Sequence, residues 1–188
     1  MKKGLVFVIS APAGTGKTTL VRMLLDEFHQ IVESVSFTTR PARPNEVPGR
    51  DYNFITTQEF KEKIKEGEFL EYAEVFGHFY GTSRKFVESQ QEKGKHVILV
   101  IDTQGALHLQ GRLDAAFIFI SPPSLEELRS RLYRRKSETE DAIEHRLSWA
   151  EKEMALAAKY NYHIVNDNLK TAYDVLRSIL IAEEHKNR

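Results

Sequence analysis

The sequence contains no cysteine, which excludes disulfide bonds, thiolate metal ligands and a cysteine nucleophile. It also has no surplus of either charge, because 27 Lys and Arg residues balance 27 Asp and Glu residues. General nucleic-acid-binding proteins usually have a basic surplus, so the zero net charge disfavours that class. No apolar run approaches the length of a membrane-spanning helix, and the early apolar run is too short for a signal peptide. We therefore expect a cytoplasmic protein with no nucleic-acid or membrane partner.

The 188 residues are enough for one globular domain with a substantial core. Helical and apolar-strand patterns alternate along the chain, which favours an α/β fold with a mainly parallel sheet. Buried strands are predicted at residues 6–9, 97–101 and 115–120. A helix is predicted over residues 140–159 with Met154 on its core side, and Thr57 is the expected N-cap of an earlier short helix.

An apolar strand pattern at residues 6–9 leads into a loop of small residues and then into a helix. Gly16-Lys17-Thr18 matches the end of the phosphate-loop pattern G-x-x-x-x-G-K-[ST], with Ala11 where the pattern has its first glycine. Main-chain amides and the positive helix end suit a polyphosphate, with Lys17 on the β- and γ-phosphates and Thr18 on Mg²⁺. The alternative is an ordinary strand–turn–helix corner. The predicted ATP-binding loop contains Ala11, Pro12, Ala13, Gly14, Thr15, Gly16, Lys17, Thr18 and Thr19.

A loop stiffened by three prolines follows at residues 40–50. Arg40 and Arg43 lie on it, and their guanidinium groups are suited to bidentate contact with a phosphate. Tyr52 and Tyr80 would add hydroxyl donors to the same phosphate. The alternative is a solvated basic loop with two half-buried tyrosines, which composition alone favours.

Glu71 lies on a predicted strand whose alternation puts it on one face with Phe69, Ala73 and Val75. A carboxylate on an apolar face is costly unless a group donates to it. Guanine offers two adjacent donors and adenine offers no such pair, so Glu71 is a candidate reader of guanine. The alternative is an ion pair with a nearby lysine or arginine at the surface.

Charged side chains later in the chain have two interpretations each. Asp102 follows a buried strand and either holds a water of Mg²⁺ or caps the next helix. Arg131 and Arg135 share one helical face, and Arg146 lies on the following helix. These arginines either neutralise a transferring phosphoryl group or belong to a solvated helix with many salt bridges.

Several longer motifs support a family resemblance over residues 4–173. They are Ser34-Val35-Ser36-Phe37-Thr38-Thr39-Arg40, Gly49-Arg50-Asp51-Tyr52-Asn53-Phe54, Phe69-Leu70-Glu71-Tyr72-Ala73, Tyr80-Gly81-Thr82, Ile101-Asp102-Thr103-Gln104-Gly105 and Val165-Asn166-Asp167. With the phosphate loop, the chain resembles a guanylate kinase, an enzyme that phosphorylates GMP with MgATP. The resemblance implies a three-layer P-loop fold with a core (1–33, 83–123, 160–188), a β-rich GMP-binding insert (34–82) and a helical lid (124–159).

The resemblance also implies a role for each site residue. It implies that Lys17, Arg40, Arg135 and Arg146 are catalytic, and that Arg131, Arg135 and Asn166 join the phosphate loop in binding ATP. The implied GMP-binding residues are Ser36, Arg40, Arg43, Tyr52, Glu71, Tyr80, Thr82 and Asp102, with Thr18 as the Mg²⁺ ligand and Asp102 near it through water. The implied substrates are ATP and GMP, with dGMP as a further phosphate acceptor. The implied assembly is a monomer or a homodimer.

Four positions depart from the family pattern. Ala13 replaces a frequent serine, Val100 replaces a usual acid, and Arg134 and Lys136 replace common glycines. None of them removes a group that phosphoryl transfer needs, so we expect an active enzyme. Two other functions remain open at this point: a phosphopeptide-binding module that has lost catalysis, and a related kinase acting on AMP or a sugar phosphate.

Overall fold

The computed structural model describes residues 3–134 and 139–187. The strands of this part of the chain are β1 (Val6–Ser10), β2 (Ile31–Ser34), β3 (Phe37–Thr38), β4 (Asn53–Phe54), β5 (Phe69–Val75), β6 (His78–Ser83), β7 (His96–Val100), β8 (Ala116–Ser121) and β9 (Tyr162–Val165). Its α-helices are α1 (Lys17–Glu27), α2 (Thr57–Lys65), α3 (Arg84–Glu92), α4 (Thr103–Leu109), α5 (Leu125–Arg134), α6 (Glu140–Met154) and α7 (Leu169–Glu184). A short 3₁₀ helix covers Ala157–Lys159.

The strands form two sheets. The larger sheet has five strands in the order β2-β7-β1-β8-β9, with β2 parallel to β7 and β8 parallel to β9. The smaller sheet has four strands in the order β4-β3-β6-β5, and β6 runs antiparallel to both of its neighbours. The expected α/β fold with a mainly parallel sheet is therefore confirmed.

The chain divides into two compact units. The first contains the residues up to Phe7 together with Gln30–Ala115, and its smaller sheet packs on Phe60, whose ring stacks at 4.4 Å on Phe69. The second contains Val8–His29 and the residues from Ala116 onward. Among its apolar clusters is one between α5 and α6, formed by Leu128, Leu132, Ile143, Leu147 and Ala150. The division into core, insert and lid stays a prediction. In the described residues, no helix has both the length and the apolar character needed to cross a membrane.

Two local predictions were wrong. The N-cap of α2 is Thr56 rather than Thr57, because Thr56 forms a capping box with Glu59 three residues later. The helix predicted to residue 159 ends at Met154, and the buried residue in its last turn is Glu153. No proline or glycine marks that end, so helix propensity alone extends the helix too far.

Candidate nucleotide-binding sites

The phosphate loop lies in the second unit, between β1 and α1. Its glycines have left-handed backbone conformations, with φ of 92° at Gly14 and 96° at Gly16. The Thr15 hydroxyl group donates a 2.7 Å hydrogen bond to the Pro12 carbonyl oxygen and closes the turn. Ala11 does not have a positive φ, since Phe76 is the one non-glycine residue with a positive φ in the described chain. The alanine at this position therefore causes no backbone strain.

Asn166 holds this loop from the end of β9. Its side chain is buried, and its amide donates to the Thr15 main-chain carbonyl oxygen at 2.7 Å. A Cβ atom on Gly16 would lie 2.6 Å from the same amide nitrogen, and one on Gly14 would lie 2.9 Å from the Leu132 side chain. Both glycines have a positive φ that other residues rarely adopt, and a side chain at either position would also displace Asn166 or Leu132.

The predicted lid arginines have different surroundings. On α5, Arg131 donates through Nε to Glu127 at 2.8 Å and through Nη2 to the Asn166 main-chain carbonyl oxygen at 3.1 Å. This places Arg131 beside the residue that holds the phosphate loop. Arg146 is half-buried on α6, while Arg135 and the Lys136 departure lie outside the described residues.

In the first unit, Glu71 is buried on β5, and its carboxylate accepts a 2.5 Å hydrogen bond from the Thr82 hydroxyl group on β6. The two residues are register partners next to an irregularity in the β5–β6 pairing. Burial raises the pKa of Glu71 to about 7; the Thr82 hydrogen bond opposes this rise and the charge of Asp102 adds to it. Because Glu71 is buried, the alternative of an ion pair at the surface is wrong.

Helix α4 packs closely against this carboxylate. A Cβ atom on Gly105 would lie 2.4 Å from the Glu71 Oε2 atom, so a side chain at this position would displace the Glu71 carboxylate. The Asp102 side chain caps the same helix, accepting a 2.9 Å hydrogen bond from the Gly105 main-chain nitrogen. The capping interpretation of Asp102 is thus confirmed, and its link to Mg²⁺ stays a prediction.

The predicted phosphate-binding side chains lie around Arg40. Its guanidinium group lies 5.4 Å from the centre of the Tyr52 ring, and the Tyr52 and Tyr80 rings are 5.9 Å apart. Burial lowers the pKa of Arg40, but hydrogen bonds with Glu46 and Tyr80 outweigh burial and raise the pKa above its ordinary value. Arg40 Nη2 contacts both carboxylate oxygens of Glu46, at 2.8 and 2.9 Å. The Arg43 side chain is exposed on the same loop.

The hydroxyl group of Thr18 is chemically suited to the predicted role of Mg²⁺ ligand. It lies exposed in the first turn of α1, and a hydroxyl oxygen is the type of ligand that Mg²⁺ takes together with nucleotide phosphates. Within residues 3–134 and 139–187, no group of three or more His, Cys, Asp or Glu side chains could hold a metal ion.

The structure brings some of the predicted residues together and adds others. Glu71 contacts Thr82, Arg40 stacks on Tyr52, and Ser36 is buried immediately before β3. Sequence reasoning missed Gly105 and Glu46 as parts of these sites. A carboxylate within six residues of Arg40 on a stiff loop was the available signal for Glu46. The available signal for Gly105 was its place in the motif that begins at Ile101.

Residues 3–183 match the family model described as guanylate kinase. The chain belongs to the guanylate kinase family. It is 57% identical over 185 residues to a guanylate kinase of Protochlamydia amoebophila, covering 98% of this chain and 94% of the relative. It is 49% identical to a guanylate kinase of Chlamydia felis, covering 97% and 90%. A crystal structure of guanylate kinase from Anaplasma phagocytophilum is similar with a TM-score of 0.83 and 39% identity, covering 99% of this chain and 89% of that one.

The predicted family, fold and guanylate kinase function are therefore confirmed. The alternative of a phosphopeptide-binding module is not favoured, because the similarity extends over nearly the whole chain of several guanylate kinases. The roles of individual residues stay predictions.

Proposed function

We propose that this guanylate kinase transfers the γ-phosphoryl group of MgATP to GMP, giving ADP and GDP, with the residue roles that follow. The observation that carries the assignment of the acceptor is the buried Glu71 carboxylate. It is held by Thr82 and packed against Gly105. A buried carboxylate without a salt bridge is costly, and the ring N–H and exocyclic amine of guanine would compensate it.

In the acceptor site, Glu71 would accept from the two guanine donors, with Ser36 and Thr82 completing the contacts to the base. Arg40, Arg43, Tyr52 and Tyr80 would bind the phosphate of GMP. Support comes from the arrangement of Arg40 over the Tyr52 ring beside Tyr80. A base that lacks the two donors would leave Glu71 unpaired, which gives selectivity against AMP.

In the donor site, the main-chain amides of residues 11–19 and the Lys17 ammonium group would bind the ATP phosphates. Thr18 would hold Mg²⁺, which supplies charge neutralisation for the phosphates when bound. Asp102 would approach the ion through water. Asn166 would border the adenine while its amide holds Thr15.

Phosphoryl transfer needs positioning and charge neutralisation more than a strong base. Lys17, Arg40, Arg135 and Arg146 would supply that charge, with Arg131 beside the phosphate loop. An arginine in this role is worth roughly 10³–10⁵ in rate. We propose dGMP as a second acceptor and a monomer or homodimer as the assembly. A cytoplasmic location stays a prediction.

The proposal is tested by measuring ADP formation from MgATP with a panel of acceptors: GMP, dGMP, AMP, IMP and UMP. GMP should be preferred, and AMP and UMP should be used at least about 10³-fold less efficiently. Lys17→Met should reduce turnover by about 10³-fold, with Lys61→Met on the exposed face of α2 as the control. Equal use of AMP, or full activity of Lys17→Met, would refute it.

A further inference from the structure

Glu46 is the centre of the loop that the proposed function assigns to the phosphate of GMP. Its Oε1 and Oε2 atoms accept from Arg40 Nη2 at 2.8 and 2.9 Å, and Oε2 also accepts from the Arg43 main-chain nitrogen at 2.9 Å. The Glu46 main-chain nitrogen in turn donates to the Arg43 carbonyl oxygen at 3.0 Å. One carboxylate therefore ties together the two arginine positions of the loop.

This ion pair differs from an ordinary surface pair. Only 14% of the Arg40 side chain and 16% of the Glu46 side chain are exposed. The guanidinium group is also held by stacking on Tyr52 and by a 2.7 Å hydrogen bond from Nη1 to the Pro41 carbonyl oxygen. A long side chain restrained on three sides has already lost much of its conformational freedom before a ligand binds.

The Glu46 contact uses one of the three guanidinium nitrogens of Arg40. Glu46 accepts from Nη2 and Pro41 accepts from Nη1, so neither of these two contacts occupies Nε. The further hydrogen bond of Arg40 is with Tyr80, a side chain that the proposed function assigns to the same phosphate. A carboxylate that competed for the whole group would pair with two nitrogens in the fork-to-fork arrangement. Glu46 contacts a single nitrogen end-on, which suits a group that orients Arg40 rather than one that replaces the ligand.

We infer that Glu46 is a positioning residue that orients Arg40 for the phosphate of a nucleoside monophosphate. The inference rests on the proposed function, because it takes the ligand of Arg40 to be the GMP phosphate. Glu46 acts through Arg40 and the loop and does not itself contact the substrate. Its negative charge is outweighed by the two arginines, so the loop keeps a net positive charge for the phosphate.

The test compares GMP with guanosine, which has the same base and no phosphate. Glu46→Gln keeps the shape and one acceptor but loses the charge, and it should weaken GMP binding about tenfold while leaving guanosine binding unchanged. The KM for ATP should also stay unchanged. The matched control is Glu74→Gln, which changes an exposed carboxylate on β5 and should alter neither affinity.

Two further variants sharpen the result. Glu46→Asp keeps the charge but moves it away from Arg40 by one methylene group, so it should weaken GMP binding by a smaller factor. It replaces Glu46→Gln in the test if that variant does not fold. In an Arg40→Lys background the effect of Glu46→Gln should become smaller, because lysine keeps the charge but not the guanidinium group that Glu46 orients.

Three outcomes would overturn the inference: unchanged or tighter GMP binding by Glu46→Gln, equal weakening of GMP and guanosine, or additive effects with Arg40→Lys. Equal weakening would mean that Glu46 only maintains the loop. Failure of the proposed function is a different result, because the wild-type protein itself would then not bind GMP.

Discussion

The side-chain amide of Asn166 donates to the main-chain carbonyl oxygen of Thr15 across 2.7 Å, joining two positions that are 151 residues apart in the sequence. The residue that follows β9 thereby supports the phosphate loop, although it is not part of the phosphate-loop sequence motif. The loop has few side chains of its own, so its conformation depends on neighbours such as this amide.

Asn166→Ala should weaken ATP binding, because the Thr15 carbonyl oxygen loses its buried donor. An unpaired buried carbonyl costs about 1–3 kcal/mol, which urea denaturation should detect as a lower free energy of unfolding. Calorimetric titration with ATP measures the affinity. Asp167→Ala, at the exposed neighbouring position, is the control and should change neither quantity. A wild-type ATP affinity in Asn166→Ala would contradict the role of this contact.

Glu71→Gln should reduce kcat/KM for GMP by about 10²-fold or more, because an amide group places a donor against one of the two guanine donors. ATP binding should be unaffected. Glu74→Gln, on the exposed face of the same strand, should retain wild-type kinetics with both substrates. Equal losses for GMP and ATP would remove Glu71 from the recognition of the base.

Guanosine binding should strengthen as the pH rises through about 7, since burial raises the pKa of Glu71 to about 7 and only the ionised carboxylate accepts from both guanine donors. Below that pH the affinity should fall by about tenfold per pH unit. Guanosine is the correct probe because the phosphate of GMP titrates near pH 6. Glu71→Gln should give a flat profile, and a flat wild-type profile would exclude Glu71 as the titrating group.

The free energy of unfolding of the unliganded protein should decrease as the pH rises, whereas the affinity for guanosine should increase. The folded-state pKa of Glu71 lies above its unfolded value of 4.5, so the stability contributed by the protonated form is complete below pH 4.5 and lost as the pH rises through about 7. The free energy of unfolding, measured by urea denaturation, should therefore fall between pH 5 and pH 8 by about 2.5 kcal/mol more in wild type than in Glu71→Gln. Parallel changes in the two proteins would contradict this.

The parts of the sites that follow local rules could be predicted from the sequence. The phosphate loop depends on neighbouring residues, and strand alternation places Glu71 on the same face as Phe69 and Ala73. The strand–loop–helix arrangement and the shared buried face of β5 were confirmed, and the binding of phosphate by the loop stays a prediction. The capping role of Asp102 also follows from its position between a strand and a helix, although sequence reasoning could not choose it over the alternative.

The remaining features depend on contacts between distant segments or on loop geometry. Nothing in the sequence shows that the backbone at Gly105 approaches the Glu71 carboxylate, because they belong to different elements separated by β6, α3 and β7. Glu46 lies on a loop, where no periodicity of apolar residues indicates the direction of a side chain. The sequence therefore could not distinguish a Glu46 paired with Arg40 from a Glu46 exposed to solvent. The main-chain partner of Asn166 was equally hidden, since no side-chain pattern identifies a carbonyl group.

The close approach of Gly105 to Glu71 has a consequence for protein engineering. Any side chain at position 105 would place a Cβ atom 2.4 Å from the Glu71 carboxylate. Shortening the side chain at position 71 would vacate the volume that a methyl group at position 105 needs. A redesign of the acceptor preference should therefore replace the residues at positions 71 and 105 together. A larger residue at 105 alone would clash with Glu71, and a smaller residue at 71 alone would leave a cavity.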